Sequence, residues 1–116
     1  MCGIIGYVGG RGAKDLLMQG LERLEYRGYD SAGLCLLDGS TLETVRAVGN
    51  LGHLRAEADS NGSKATTGIG HTRWATHGRV CLENAHPLTG SPEEPVAVVL
   101  NGIVENYREL KQSLEA

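Results

Sequence analysis

Apolar positions along the chain follow two periods, and their alternation lays out the elements. Ile4 to Val8 is a short apolar run near the start, the pattern of a buried strand over 4–8. Gly9, Gly10 and Gly12 break it. Ala13, Leu16, Leu17, Leu21 and Leu24 then recur at helical spacing and predict an amphipathic helix over 13–25. Tyr26 to Asp30 reads as a loop. Two apolar runs joined through Asp38-Gly39 predict a hairpin with strands over 32–37 and 42–48. Asn50 is placed to cap a short helix over 51–58. Ser60 to Thr67 is a polar loop, and a strand over 68–73 runs from it into a turn at Trp74. Residues 75–95 hold all three prolines and little periodicity, which predicts a long irregular segment. Val96 to Leu100 is continuously apolar, the pattern of a strand over 96–100 buried on both faces. Tyr107, Leu110 and Leu114 predict a helix over 105–115. The order strand, helix, hairpin, strand, loop, strand, helix gives an α/β (α+β) class.

Composition narrows this picture. At 116 residues the chain has room for one small core. The net charge of −3 shows no basic excess of the kind nucleic acid selects, so no nucleic-acid partner is expected. No apolar run approaches a membrane span, and no signal peptide pattern opens the chain, so no membrane partner is expected and the expected compartment is the cytoplasm. Three cysteines at no paired spacing argue against a disulfide framework. Seventeen glycines punctuate the apolar segments and imply tight turns and close backbone approaches. A hydrophobic fraction of 41% with five aromatic residues is thin for a self-sufficient core, so part of the domain is expected to lie outside this stretch.

Cys2 is the most informative residue. Met1 is of the kind removed before a small second residue, which would leave the Cys2 thiol beside its own α-amine. An α-amine with a pKa of about 7.7–8.0 suits a general base near neutrality, so one residue would hold both nucleophile and base. Read by position alone, Cys2 is better taken as a small buried apolar residue at a strand start. Asn101-Gly102 follows an apolar run, where a side-chain amide and a backbone N–H could face one oxygen, although Asn-Gly is also a common turn. Cys35 lies in a strand pattern and reads as core, and His53 as surface. Cys81, His77 and His86 lack the spacing of a structural zinc site, so no metal is expected. No glycine-rich phosphate loop is present.

Five segments come in a telling order: Met1-Cys2-Gly3-Ile4-Ile5-Gly6, then Leu24-Glu25-Tyr26-Arg27-Gly28-Tyr29-Asp30-Ser31-Ala32-Gly33, then His71-Thr72-Arg73-Trp74-Ala75-Thr76-His77-Gly78, then Asn84-Ala85-His86-Pro87, and last Asn101-Gly102-Ile103-Val104-Glu105-Asn106. Together they closely resemble the glutaminase half of the aminotransferases that make glucosamine 6-phosphate, within the class II glutamine amidotransferases. The related amidophosphoribosyltransferases and asparagine synthetases share the Cys-Gly start and the Asn-Gly pair. They differ at Tyr-Arg-Gly-Tyr-Asp-Ser-Ala-Gly and Arg-Trp-Ala-Thr-His-Gly.

The resemblance implies an N-terminal nucleophile hydrolase fold, an αββα sandwich present only in part, with residues 1–116 as the first portion of a glutaminase domain. It implies Cys2 as nucleophile on glutamine and Asn101 and Gly102 as oxyanion donors. Arg73 offers a planar fork of donors to the substrate α-carboxylate, with Thr76 and His77 adding hydrogen bonds. Trp74 would gate an ammonia path. Arg27 would support the site, Asp30 less so, Gly28 and Gly33 would serve backbone conformation, and His86 would organise the proline-rich loop. No cofactor is implied. Fructose 6-phosphate would be met only through a separate isomerase domain, and the acidic partner of the substrate ammonium would lie beyond residue 116. The rival expectations are a non-catalytic remnant of such an enzyme and the glutaminase portion of a related amidotransferase. A bare sheet edge would favour self-association, and the parent enzyme is expected to be a homo-oligomer.

Overall fold

Alternation along four strands builds the sheet that positions everything else. The structure, a computed structural model, describes residues 2–60, 63–75, 78–91 and 93–116, with Arg27 described by its backbone alone. In chain order the elements are β1 (Gly3–Val8), α1 (Ala13–Arg23), β2 (Ser31–Asp38), β3 (Thr41–Val48), α2 (Leu51–Asp59), β4 (Thr67–Arg73), β5 (Leu88–Thr89), β6 (Ala97–Val98) and α3 (Tyr107–Glu115). Single 3-10 turns lie at Glu25–Arg27 and Leu82–Asn84. One sheet runs β1-β4-β2-β3, antiparallel throughout, and β5 pairs with β6 in a separate ribbon.

The period of two sends alternate side chains of β2 and β4 to opposite faces. Ala32, Leu34 and Leu36 face one way and pack with Leu17, Met18 and Leu21 of α1 and Leu51, Leu54 and Ala58 of α2. Each fully buried leucine here contributes about 1.5–3 kcal/mol. Their cross-strand neighbours include Gly68 and Gly70. A Cβ at Gly68 would lie 2.8 Å from Leu17 Cδ1, so the missing side chain lets α1 close onto the sheet. Asn50 caps α2 by accepting from the His53 N–H at 3.3 Å, and an Arg55–Glu22 ion pair bridges α2 to α1.

Ser31, Gly33 and Cys35 of β2 face the other way, with His71 and Arg73 of β4 opposite them in register. The chain between residues 78 and 89 covers this face. Ala85 is fully buried there, and Arg46 of β3 donates to its carbonyl at 3.2 Å. Gly33 admits the approach, since a Cβ would stand 2.2 Å from the His86 carbonyl oxygen. Helices on one face of an antiparallel sheet, with irregular chain and a ribbon on the other, give the α+β architecture.

Three expectations need correction. The helix predicted over 13–25 ends at Arg23, where a 3-10 turn takes over. The segment 75–95 is not wholly irregular, because Leu88–Thr89 forms a short strand. The strand predicted over 96–100 and buried on both faces is two residues long, and Val96, Val98 and Leu100 are all exposed. An apolar run is buried on both faces only where layers lie on either side, and β6 has a single paired neighbour, β5. The hairpin, the helices at 51–58 and 105–115 and the strand at 68–73 form within two residues of expectation.

Candidate active site

Cys2 sits one residue before β1. The Gly3 N–H donates to the buried Thr72 hydroxyl at 3.1 Å, and Gly3 pairs with Thr72 in the ladder. Alternation therefore puts Cys2 on the face away from the helices, level with Arg73. The side chain is half-buried, and its Sγ lies 4.0 Å from the Trp74 carbonyl oxygen.

An open cleft of about 540 Å³ lies over this end of the sheet, and Cys2, Arg73, Trp74, His86, Asn101 and Gly102 all line it. Glu105 and Tyr107 complete its far wall. Four widely separated segments thus meet in one concavity, as expected of a site built on element ends. Asn101 and Gly102 lie just past β6, both exposed to the cleft.

Arg73 ends β4 and is 7% exposed. Its guanidinium donates to the carbonyls of Arg79 at 3.1 Å and Gly78 at 3.5 Å. The Asn84 amide donates to the same Arg79 carbonyl at 2.9 Å, so the returning loop is fastened at two points. Trp74 is half-exposed, and Gly28 lies beneath its ring at a φ of 79° that favours glycine.

Asp30 holds more of the site than the sequence indicated. Its carboxylate accepts from the Ala75 N–H at 2.7 Å, and its own N–H donates to the Arg73 carbonyl at 2.7 Å. The Arg73–Ala75 turn is therefore gripped from both sides by one residue. Thr76 and His77 lie outside the described residues, as do Met1 and the Arg27 side chain.

The residue that sequence reasoning missed is His71. It is fully buried on β4, its ring stacked on His86 with centroids 4.4 Å apart. Its Nε2 lies 2.9 Å from the Leu100 carbonyl, and the Leu100 N–H donates to His86 Nδ1 at 3.3 Å. A carbonyl only accepts, so His71 carries its proton on Nε2, while His86 Nδ1 is bare. His71 Nδ1 is buried and has no partner among the described residues. Burial above all lowers the His71 pKa to about 4, with the nearby His86 and Arg73 charges acting the same way against the raising effect of the Leu100 bond. Burial also lowers His86, aided by Arg73 and Arg46. The signal for His71 was its parity with Arg73 on one strand. Cys35 is buried and His53 exposed, as expected. Among the described residues no group of three His, Cys, Asp or Glu could hold a metal, and no helix is long and apolar enough to cross a membrane.

No family model matches the chain. Curated relatives do. A glutamine–fructose-6-phosphate aminotransferase (isomerizing) of Streptococcus pneumoniae is 54% identical over 112 residues, covering 97% of this chain. One from Thermosynechococcus vestitus is 53% identical over the full 116 residues. The chain spans about 18% of the length of each. Among solved structures, the allosteric regulatory enzyme of purine biosynthesis superposes with a TM-score of 0.82 at 30% identity. The glutamine phosphoribosylpyrophosphate amidotransferase of Bacillus subtilis superposes at 0.75 and 28%. Both matches cover 99% of this chain and 25% of the other. Along its whole length, then, this chain is homologous to a stretch of the glutamine–fructose-6-phosphate aminotransferases and has the N-terminal nucleophile fold of the glutamine amidotransferases.

Proposed function

We propose that this chain carries the amide-hydrolysing half of a glutamine-dependent aminotransferase, with Cys2 as its nucleophile once Met1 is removed. The observation that carries the reading is the meeting of Cys2, Asn101, Gly102 and Arg73 around one cleft. The Cys2 sulfur attacks the side-chain amide carbon of glutamine. Its α-amine takes the thiol proton and later delivers it to the departing ammonia. The Asn101 side chain and the Gly102 N–H stabilise the oxyanion, a contribution of about 2.7–4 kcal/mol for one such donor. Water then cleaves the γ-glutamyl thioester and glutamate leaves.

Arg73 binds the substrate α-carboxylate, and Thr76 and His77 add hydrogen bonds to the same group. Trp74 lies between the nucleophile and the exit for ammonia. Arg27 and Gly28 support the loop beneath Trp74, and His86 orders the proline-rich segment. No cofactor takes part. The names of the curated relatives pair glutamine with fructose 6-phosphate, and on this reading the ammonia passes to fructose 6-phosphate on a separate isomerase domain. The cytoplasm suits this chemistry because it keeps the thiol reduced.

The test is mass spectrometry of the chain incubated with glutamine and quenched. A γ-glutamyl adduct on Cys2 is expected, absent in Cys2→Ala and absent when Met1 removal is blocked. An adduct forming at an unchanged rate on a chain retaining Met1 would remove the α-amine from the mechanism.

A further inference from the structure

We infer that His71 and His86 are positioning residues for the Asn101–Gly102 pair, two stacked rings that hold the Leu100 backbone from both sides. The inference rests on the reading of Asn101 and Gly102 as oxyanion donors, and it adds the device that aims them.

The geometry is specific. The Leu100 carbonyl belongs to the peptide joining Leu100 to Asn101, and the Leu100 N–H belongs to the peptide before it. His71 Nε2 at 2.9 Å fixes the first plane, and His86 Nδ1 at 3.3 Å fixes the second. Two successive planes pinned at one Cα define where the chain goes next, and Asn101 is next. The ladder does not do this work, because β6 ends at Val98. Each ring is anchored independently. His71 stands on the central strand β4 with its side chain fully buried. The His86 backbone lies on the sheet over Gly33, the cross-strand partner of His71. The stack at 4.4 Å keeps the two nitrogens in their relative places.

Proton positions fit the same task. His71 must donate and His86 must accept, so each ring works in its neutral Nε2–H form. Arg73 and Arg46 are the charged groups acting on His86, while His86 and Arg73 act on His71, and all of them oppose a positive ring.

The experiment uses the 116-residue chain with Met1 removed and the aldehyde analogue of glutamine, in which –CHO replaces the side-chain amide. The Cys2 S–H adds across the aldehyde C=O. Sulfur bonds to carbon, the π pair moves to oxygen, and the thiol proton ends on that oxygen, so the tetrahedral adduct needs the same donors. Alkylation of Cys2 by iodoacetamide forms no such oxygen and serves as control. His86→Ala is expected to weaken the adduct about tenfold, the effect of one hydrogen bond, while alkylation stays within about twofold. His86→Asn, whose side-chain oxygen can accept from the Leu100 N–H, should recover most of the loss. Adduct affinity unchanged in His86→Ala would overturn the inference, as would failure of His86→Asn to recover a chain that is still folded. If the unsubstituted chain alkylates normally but forms no adduct, the oxyanion reading fails instead. Nuclear magnetic resonance then decides the clamp alone. Ring-nitrogen shifts should show Nε2–H on both histidines at neutral pH, and His86→Ala should move the Asn101 and Gly102 amide signals. Unmoved signals would end the inference.

Discussion

Arg73 shows how a single side chain can be bound before any ligand arrives. Its guanidinium already holds the carbonyls of Arg79 and Gly78, so the substrate carboxylate proposed for it would compete with them. Arg73→Lys should raise the KM for glutamine by a factor set by about 1.5–3 kcal/mol, the worth of a hydrogen bond to a charged group, because an ammonium reproduces neither the fork nor the loop contacts. Steady-state kinetics check this, with a glutamine α-ester as control. An equal loss on the ester would make Arg73 a loop anchor only. Asp30→Ala should cost about 1.5–3 kcal/mol of stability by removing the acceptor for the Ala75 N–H, read by urea unfolding. His71 gives a pH dependence of known sign. Its folded pKa of about 4 lies below the ordinary 6.5, so its stabilisation is complete above about pH 6.5 and is lost as pH falls towards 4. The full effect is on the order of 3 kcal/mol. His71→Gln, which keeps a donor at the Nε2 position without titrating, should flatten stability over that window in urea titrations.

At the scale of elements, what was legible in the sequence depended on whether a segment carries its own partner pattern. α1, the β2–β3 hairpin, α2 and β4 were readable because each presents one apolar face to a layer that is present. β6 was misread because a continuous apolar run reports a need for cover on two sides and says nothing of where the cover comes from. The site followed the same logic. Cys2, Arg73 and Asn101 stand out as rare types at element ends, whereas His71 works through a backbone contact across 29 residues of sequence, which no local pattern encodes. α3 is a helix by pattern with no buried residue, and Leu114 on it is 85% exposed. Leu114→Lys should leave the unfolding free energy within about 0.5 kcal/mol of the parent. If this face mediates contact between copies, the same substitution should shift the chain towards monomer in sedimentation velocity.

At the scale of the whole molecule, among the described residues neither β1 nor β3 has a strand on its outer side. Those open edges predict reversible self-association that rises with concentration and falls when charge is introduced on β1. The cleft wall also bears on substrate orientation. Glu105 is the carboxylate among its lining residues, and it stands on the segment leading into α3. If the ammonium of glutamine is held by residues following this stretch in the longer relatives, a chain extended with them should turn over glutamine at least about 10²-fold faster, since an ångström of misplacement costs that much. Glu105→Gln should then leave the short chain unchanged. A large rise in KM in that variant would assign the ammonium to Glu105. The two-residue pairing of β5 with β6 carries a separate consequence. The Cys2 sulfur rides on a sheet locked by long ladders and a leucine core, whereas Asn101 and Gly102, the oxyanion donors proposed above, ride on a piece tethered by a minimal ribbon and two imidazoles. Partial openings of different cost are therefore built into one small protein. Mild urea should silence Cys2 chemistry while far-ultraviolet circular dichroism stays native, and amide exchange at residues 97–102 should outrun that of β2 and β4.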